Sequence, residues 1–274
     1  MQETGSDMHD KNQSGKPLNQ SVLATDSQHN LSLFRRSMRF SYTLLAYAIS
    51  LVALVYFILF VSDLIIPVTV NSGPYTLPVT QAVLINLGLL ALFGLQHSLM
   101  ARGTFKNWLK RYFHSAVERA TYCLMTGLVL AFMCYSWTPM AGQIWQLDSS
   151  INIALVRFVG ALGWLVAVLA TFQLDHFELF GLRQVYCHFT GKPLPSSEFK
   201  QPGFYKWVRH PMQTGMLIGM WCVPSATLSH MMLAAGLTAY VFVGLYFEEQ
   251  DLLREFGQTY HEYKQRVGKI LPFL

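Results

Sequence analysis

The sequence predicts an all-α integral membrane protein with four long transmembrane helices, a C-terminal helical hairpin that brings the count to five or six spans, and a cytoplasmic amphipathic tail helix. Three observations carry this. Of 274 residues, 52% are hydrophobic and 13% charged, against about a quarter charged in soluble domains. Apolar stretches of about 20 residues, the length that crosses a hydrocarbon core, occupy 40–62, 79–99, 120–139 and 151–174. Lysine and arginine crowd alternate loops and are missing from the others, as expected of spans with a positive inner side.

Residues 1–34 are polar, with no aromatic before Phe34. They bury too little apolar surface to offset ordering entropy and are predicted to form a disordered tail. The chain lacks an early basic patch followed by an apolar core and a small-residue cleavage site, so the first span is expected to stay in place. The membrane domain then covers 35–247. After the four long spans, apolar segments at 211–223 and 231–247 are separated by "PSATLSH", a turn sequence. The first would reach only ~20 Å as a helix, short for a ~30 Å core. It is either a tilted span or half of a shallower hairpin.

The last region, 248–274, spaces Leu252, Leu253, Phe256, Tyr260, Tyr263 and Val267 for a helix with charges between, interrupted at Gly257. It is expected to lie on the membrane surface. Arg35, Arg36 and Arg39 precede the first span, and further basic groups run from Arg102 to Arg119, from Arg183 to Arg209 and from Arg254 to Lys269. Loops 63–78, 140–150 and 224–230 have none, so both termini are expected to be cytoplasmic. Arg157, inside the fourth span, is the exception and must pair or snorkel. This placement accounts for the net charge of +5 without nucleic acid. None of the four cysteines forms a Cys-x-x-Cys pair, so reduced thiols are expected.

Four separated segments put ionisable groups at the cytoplasmic edge: Gln96 and His97, then Asp175, His176 and Glu178, then Arg209 and His210, then Glu248 and Glu249. Pro211 is suited to the first position of a helix, whose free N–H groups, with Arg209 and His210, would receive a carboxylate or phosphate. Read blandly, Arg209 is a flanking positive charge and His210 a cap. The hairpin, however, returns Glu248 and Glu249 to the same place. A ligand bearing both signs of charge would use both halves, and S-adenosylmethionine is one. The aromatics Phe204, Tyr205, Trp207 and Tyr260 would stack on its ring or attract its cation. A different class of function, haem ligation by His97, His176 and His210 in a membrane electron carrier, is the alternative, and a transporter is a third. His188 beside Cys187 lacks the spaced partners of a metal site.

"GFYKWVRHPMQTG" followed by "EEQDLLREFGQTYHEYKQRV" resembles the C-terminal half of the membrane methyltransferases related to isoprenylcysteine carboxyl methyltransferase, a superfamily with an NnrU-like branch. The matching positions are Gly203, Tyr205, Arg209, His210, Pro211 and Gly215, then Glu248, Glu249, Leu252, Gly257, Tyr260, Tyr263 and Val267. Gln213 stands where many members have tyrosine, a departure from the prenyl-cysteine enzymes. "LQHSLMARGTFKNW" and "DHFELFGLRQVYCHFTGK" are similar to the branch that contains methanethiol S-methyltransferase, and the resemblance covers roughly residues 35–272.

The resemblance implies S-adenosylmethionine as methyl donor, held by Tyr205, Arg209, His210, Pro211, Gly215, Glu248, Glu249 and Tyr260, with no metal. It implies a small thiol as acceptor, or a larger lipophilic thiol or carboxylate, in a multi-pass protein of a bacterial cytoplasmic membrane. A thiol attacks as its thiolate. His176 or His97 is expected to act as base, with Asp175 and Glu248 as the accompanying carboxylates.

Overall fold

The computed structural model describes residues 18–272 apart from 75–76 and 196–197, with side chains from Ser32 on. Of the expected disordered tail, residues 1–17 lie outside the described residues, and from Leu18 the backbone is helical. Among the described residues, five helices are long and apolar enough to cross a membrane: α1 (Leu18–Val61), α2 (Val79–Ala101), α4 (Glu118–Ser136), α5 (Ser150–Leu174) and α9 (Leu228–Phe256). Between them lie α3 (Gly103–Leu109), α6 (His176–Leu179), α7 (Leu182–Thr190), α8 (Pro211–Trp221) and, last, α10 (Gln258–Arg266). Helices α1, α4 and the short α8 run one way and α2, α5 and α9 the other, so that Gln143–Gln146 before α5 and Ser225–Thr227 before α9 meet at one end. One end of the bundle therefore gathers the basic loops, and the opposite end the loops without lysine or arginine.

The far end is not wholly helical. Strand β1 (Gln143–Gln146) pairs antiparallel with β2 (Ser225–Thr227), with Gln143 opposite Thr227 and Gln146 opposite Ser225. The turn expected in "PSATLSH" thus includes a short strand, which gives its backbone groups partners beside the membrane. Asn86 holds the neighbouring turn, donating to the Thr138 carbonyl at 2.8 Å and accepting from its N–H at 3.0 Å.

The core fills the far half of the bundle. Phe57, Phe60, Met133, Trp137, Trp164, Met220, Leu233 and Leu237 form one buried cluster drawn from α1, α4, α5, α8 and α9. Toward the basic end the helices carry polar and aromatic side chains instead.

The closest helix pair is α5 with α8, and glycine makes it possible. A Cβ on Gly163 would stand 2.7 Å from the Gly219 nitrogen and 2.8 Å from the Gly215 carbonyl oxygen. One on Gly219 would meet the Trp164 ring at 2.5 Å. The backbones touch along a seam that has no room for side chains, as in close-packed membrane helices. With 11 residues, α8 is ~16 Å long. The extended segment after it carries the chain the remaining distance to β2.

Helix α9 runs unbroken through Glu248 and Glu249 to Phe256, so the expected boundary at 248 is not a helix start. Gly257 makes the break, at φ 53°, a conformation open to glycine. Helix α10 follows and turns back along the basic end.

Candidate active site

Pro211 opens α8 at a position where its missing N–H costs nothing. The residues just before it do not end free in solvent, because the segment after α10 runs alongside them. The Arg209 N–H donates to the Gly268 carbonyl at 2.8 Å, the His210 N–H to that of Lys269 at 3.2 Å, and the Thr214 hydroxyl to that of Ile270 at 2.9 Å. The end of the chain is thereby stitched to the start of α8.

Glu249 lies at the centre, with 4% of its side chain exposed. Arg209 Nε and Nη2 both reach its Oε1 at 2.8 Å, and Lys264 and Lys269 reach Oε2 at 3.4 and 3.3 Å. His210 Nε2 is 3.3 Å from Oε1. Arg209 also donates through Nη1 to the carbonyls of Lys264 and Val267. Nearly all of its five N–H groups are thus engaged within the protein. The sequence suggested Arg209 as receptor for a ligand carboxylate. In the fold it fixes Glu249 and ties the tail to the bundle.

Glu248 is placed differently. Its side chain is 49% exposed, and its Oε2 is 3.8 Å from His210 Nδ1. Burial pulls the His210 pKa down to about 4, against the hydrogen bond it donates to Glu249, which raises it, so the ring is neutral at pH 7.

Tyrosines line the same place. Tyr263 donates to the Tyr205 carbonyl at 2.5 Å and packs edge-on against Phe199. Tyr260 is 1% exposed, and its hydroxyl has no hydrogen-bond partner. Burial raises the pKa of Tyr205 and Tyr260 and pushes Tyr263 up to about 12, so all three keep their protons. A buried hydroxyl with no acceptor is a donor awaiting one.

The other expected residues belong to separate groups. His176 is buried, with Nε2 2.9 Å from the Tyr47 hydroxyl and Nδ1 2.8 Å from that of Thr171, and its ring stacks on Phe172 at 4.1 Å. Both nitrogens are committed, and burial lowers its pKa. Asp175 accepts from the Glu178 N–H at 2.9 Å as the cap of α6 and pairs with Arg183 at 2.6 Å. These two side chains join α1, α5, α6 and α7. His97 bonds the Tyr122 hydroxyl at 2.8 Å and lies among Phe93, Thr126 and Tyr240, between α2, α4 and α9. Gly215 faces the α5 backbone in the glycine seam, where it serves packing.

Sequence reasoning missed Lys264 and Lys269 as partners of Glu249. Their spacing on an amphipathic helix marks them only as solvated charges. The carbonyls of residues 264–270 carried no side-chain signal at all.

The family whose description is NnrU protein matches residues 84–272. Methanethiol S-methyltransferase 2 of Bradyrhizobium diazoefficiens is 39% identical over 88% of this chain and 93% of its own. Methanethiol S-methyltransferase of Mycobacterium tuberculosis is 38% identical over 87% of this chain and 98% of its own. Nurim of Sus scrofa is 33% identical over 61% of this chain and 66% of its own. No solved structure matches the chain.

Proposed function

The chain belongs to the NnrU protein family, and from that premise we propose that it methylates methanethiol to dimethyl sulfide with S-adenosylmethionine as donor. The observation that carries the reading is likeness over most of the chain to proteins named for this reaction, joined to one half-open carboxylate beside a fully paired one.

The donor would supply a methyl group on a positively charged sulfur. The residues present suit such a molecule. Glu248 offers an open carboxylate to its cations, Tyr260 offers a buried hydroxyl without an acceptor, and Tyr205 and Phe199 offer aromatic faces. Arg209, Lys264 and Lys269 keep Glu249 anionic and fixed, and Glu249 in turn holds His210.

Glu248 takes the proton of the thiol in this scheme, since the ring nitrogens of His176 are already bonded. An anion in this place is stable beside positive charge and becomes costly once that charge is gone. Protonation of Glu248 during transfer leaves both partners neutral. The neutral His210 gives its one N–H to Glu249 from Nε2, which leaves Nδ1, 3.8 Å from Glu248 Oε2, as an acceptor for the proton Glu248 gains.

The basic end faces the cytoplasm in this reading, so the donor enters from there, and the thiol comes through the bilayer of the inner membrane. The short α8 and the extended segment after it make a sixth crossing, and α10 lies along the surface.

Membranes containing the protein, supplied with S-adenosylmethionine and methanethiol, should release dimethyl sulfide measurable by headspace chromatography. Glu248→Gln should lower the rate by about 10²-fold or more. Full activity in that variant would remove Glu248 from the mechanism, and no product from the intact protein would remove the substrate.

A further inference from the structure

A concave site with no lining residue from the Glu248 cluster lies at the basic end, between the loop after α3 and the α6–α7 turn. It is a cleft of about 520 Å³, within the roughly 300–1,000 Å³ range of small-molecule sites. His114, His188, Arg119, Lys192, Gln184 and Glu178 line it.

The two histidine rings face each other at 4.2 Å, and their tautomers follow from their partners. Arg39 donates to His188 Nε2 at 2.8 Å, and the Ala116 N–H donates to His114 Nδ1 at 3.2 Å. Each ring therefore carries its proton on the other nitrogen, His188 on Nδ1 and His114 on Nε2. Each ring of the wall thus keeps one N–H to donate, beside Lys192 and Arg119, whose Nε already donates to the Leu179 carbonyl at 2.9 Å. Burial is the main cause that lowers the pKa of both histidines, with Arg39 adding to it at both and Arg36 at His188. Two carboxylates also line it. Glu118 is paired with Lys110 at 3.2 Å, and Glu178 alone is left against Arg119, Lys192 and the arginines behind His188. One buried acceptor, Gln184 Oε1, has no partner.

The rim is apolar. Trp108, Tyr112, Phe113 and Phe189 are exposed around the same loops, and Phe40 packs on Phe189 at 5.4 Å. Exposed aromatic rings among basic residues at the end of a helical bundle are the signature of the headgroup level of a bilayer. We propose that this cleft binds a phosphate ester anion that bears a hydroxyl, the chemistry of an anionic phospholipid headgroup. The imidazole N–H groups, Arg119 and Lys192 meet the phosphate, and the Gln184 carbonyl oxygen accepts from the hydroxyl. Basic pockets on the cytoplasmic side of helical bundles take such headgroups.

The test uses the purified full chain in mixed micelles holding equal amounts of phosphatidylglycerol and phosphatidylcholine, with bound lipid read by native mass spectrometry. The intact protein should retain phosphatidylglycerol selectively. Lys192→Gln, at an exposed position, should weaken that retention about fivefold, the effect of one surface cation on an anionic lipid. Arg119→Lys keeps the charge and should change it less. Displacement by millimolar inorganic phosphate would assign the site to the phosphate anion free of a lipid. Retention indifferent to headgroup, or unaltered by Lys192→Gln, would overturn the proposal. So would displacement by S-adenosylmethionine, which would make the cleft part of the methyl-donor site.

Discussion

Glu249 and Glu248 are adjacent in sequence and opposite in circumstance. One is buried under three cations and a histidine, the other opens outward. The sequence could bring both to Arg209 through the hairpin, but could not say which would be spent on structure. That division depends on the carbonyls after α10, which no residue type announces. It also changes how an Arg209→Ala variant must be read. Removing Arg209 should destabilise the fold by about 3 kcal/mol, the low end for a broken buried pair, because Lys264 and Lys269 still face Glu249. Thermal unfolding in detergent measures this, and loss of activity in that variant is secondary to it. His210 gives a pH signature. Its folded pKa of about 4 lies below the unfolded value of 6.5. The unfolded state therefore binds more protons between these values, and stability is whole above pH 6.5 and declines as pH falls toward 4. The loss amounts to about 3 kcal/mol. His210→Gln should flatten that part of the stability profile.

At the scale of elements, α8 was the ambiguous segment in the sequence, because 11 to 13 residues is too short for an ordinary span. Its glycines at 215 and 219 were visible, and the glycine at 163 on α5 was visible, but nothing in one dimension pairs them. In the fold they form the seam. Gly163→Leu would press a branched side chain against the α8 backbone, which cannot move aside as a flexible side chain can. It should cost ~3 kcal/mol, the upper part of the range for overpacking. Melting temperature and the reactivity of Cys222, close behind Gly160 on the same seam, would register the separation. Four of the five long helices were legible because a hydrocarbon core imposes a length that sequence counts directly, whereas α9 was expected as a hairpin arm ending at 247 and instead continues to Phe256. The strand Ser225–Thr227 was not, since its partner lies some eighty residues earlier at Gln143–Gln146.

Across the whole molecule, the ends differ in kind. Far-end loops are held by paired backbone and by side chains such as Trp137, whose indole N–H donates to the Ser229 hydroxyl at 2.8 Å. The basic end carries the lysines and arginines of the loops, the Glu248 cluster and the cleft lined by His114 and His188. An impermeant maleimide applied to intact cells should label Gln146→Cys, on exposed β1, and leave Lys200→Cys untouched until the cells are lysed. The reverse pattern would invert the orientation. The distribution of lysine and arginine foretold this division, because each loop contributes its own charge without any tertiary knowledge. The position of His176 was legible as the end of a span. Its partner Tyr47, 129 residues earlier, was not, and with the partner unseen a packed ring resembles a reactive one.

The hydrogen bonds from residues 209, 210 and 214 to the carbonyls of residues 268 to 270 have a further consequence. Every long helix is already made when synthesis reaches Gly257, yet the peptide groups that hold the start of α8 belong to residues made after it. A nascent chain can be threaded into the bilayer with its glutamates and its arginine in place and still lack the clasp that brings them to register. The start of α8 is thus held only once residues 268 to 270 have been made, so a ribosome that stalls between Gly257 and Gly268 leaves inserted helices with that clasp open.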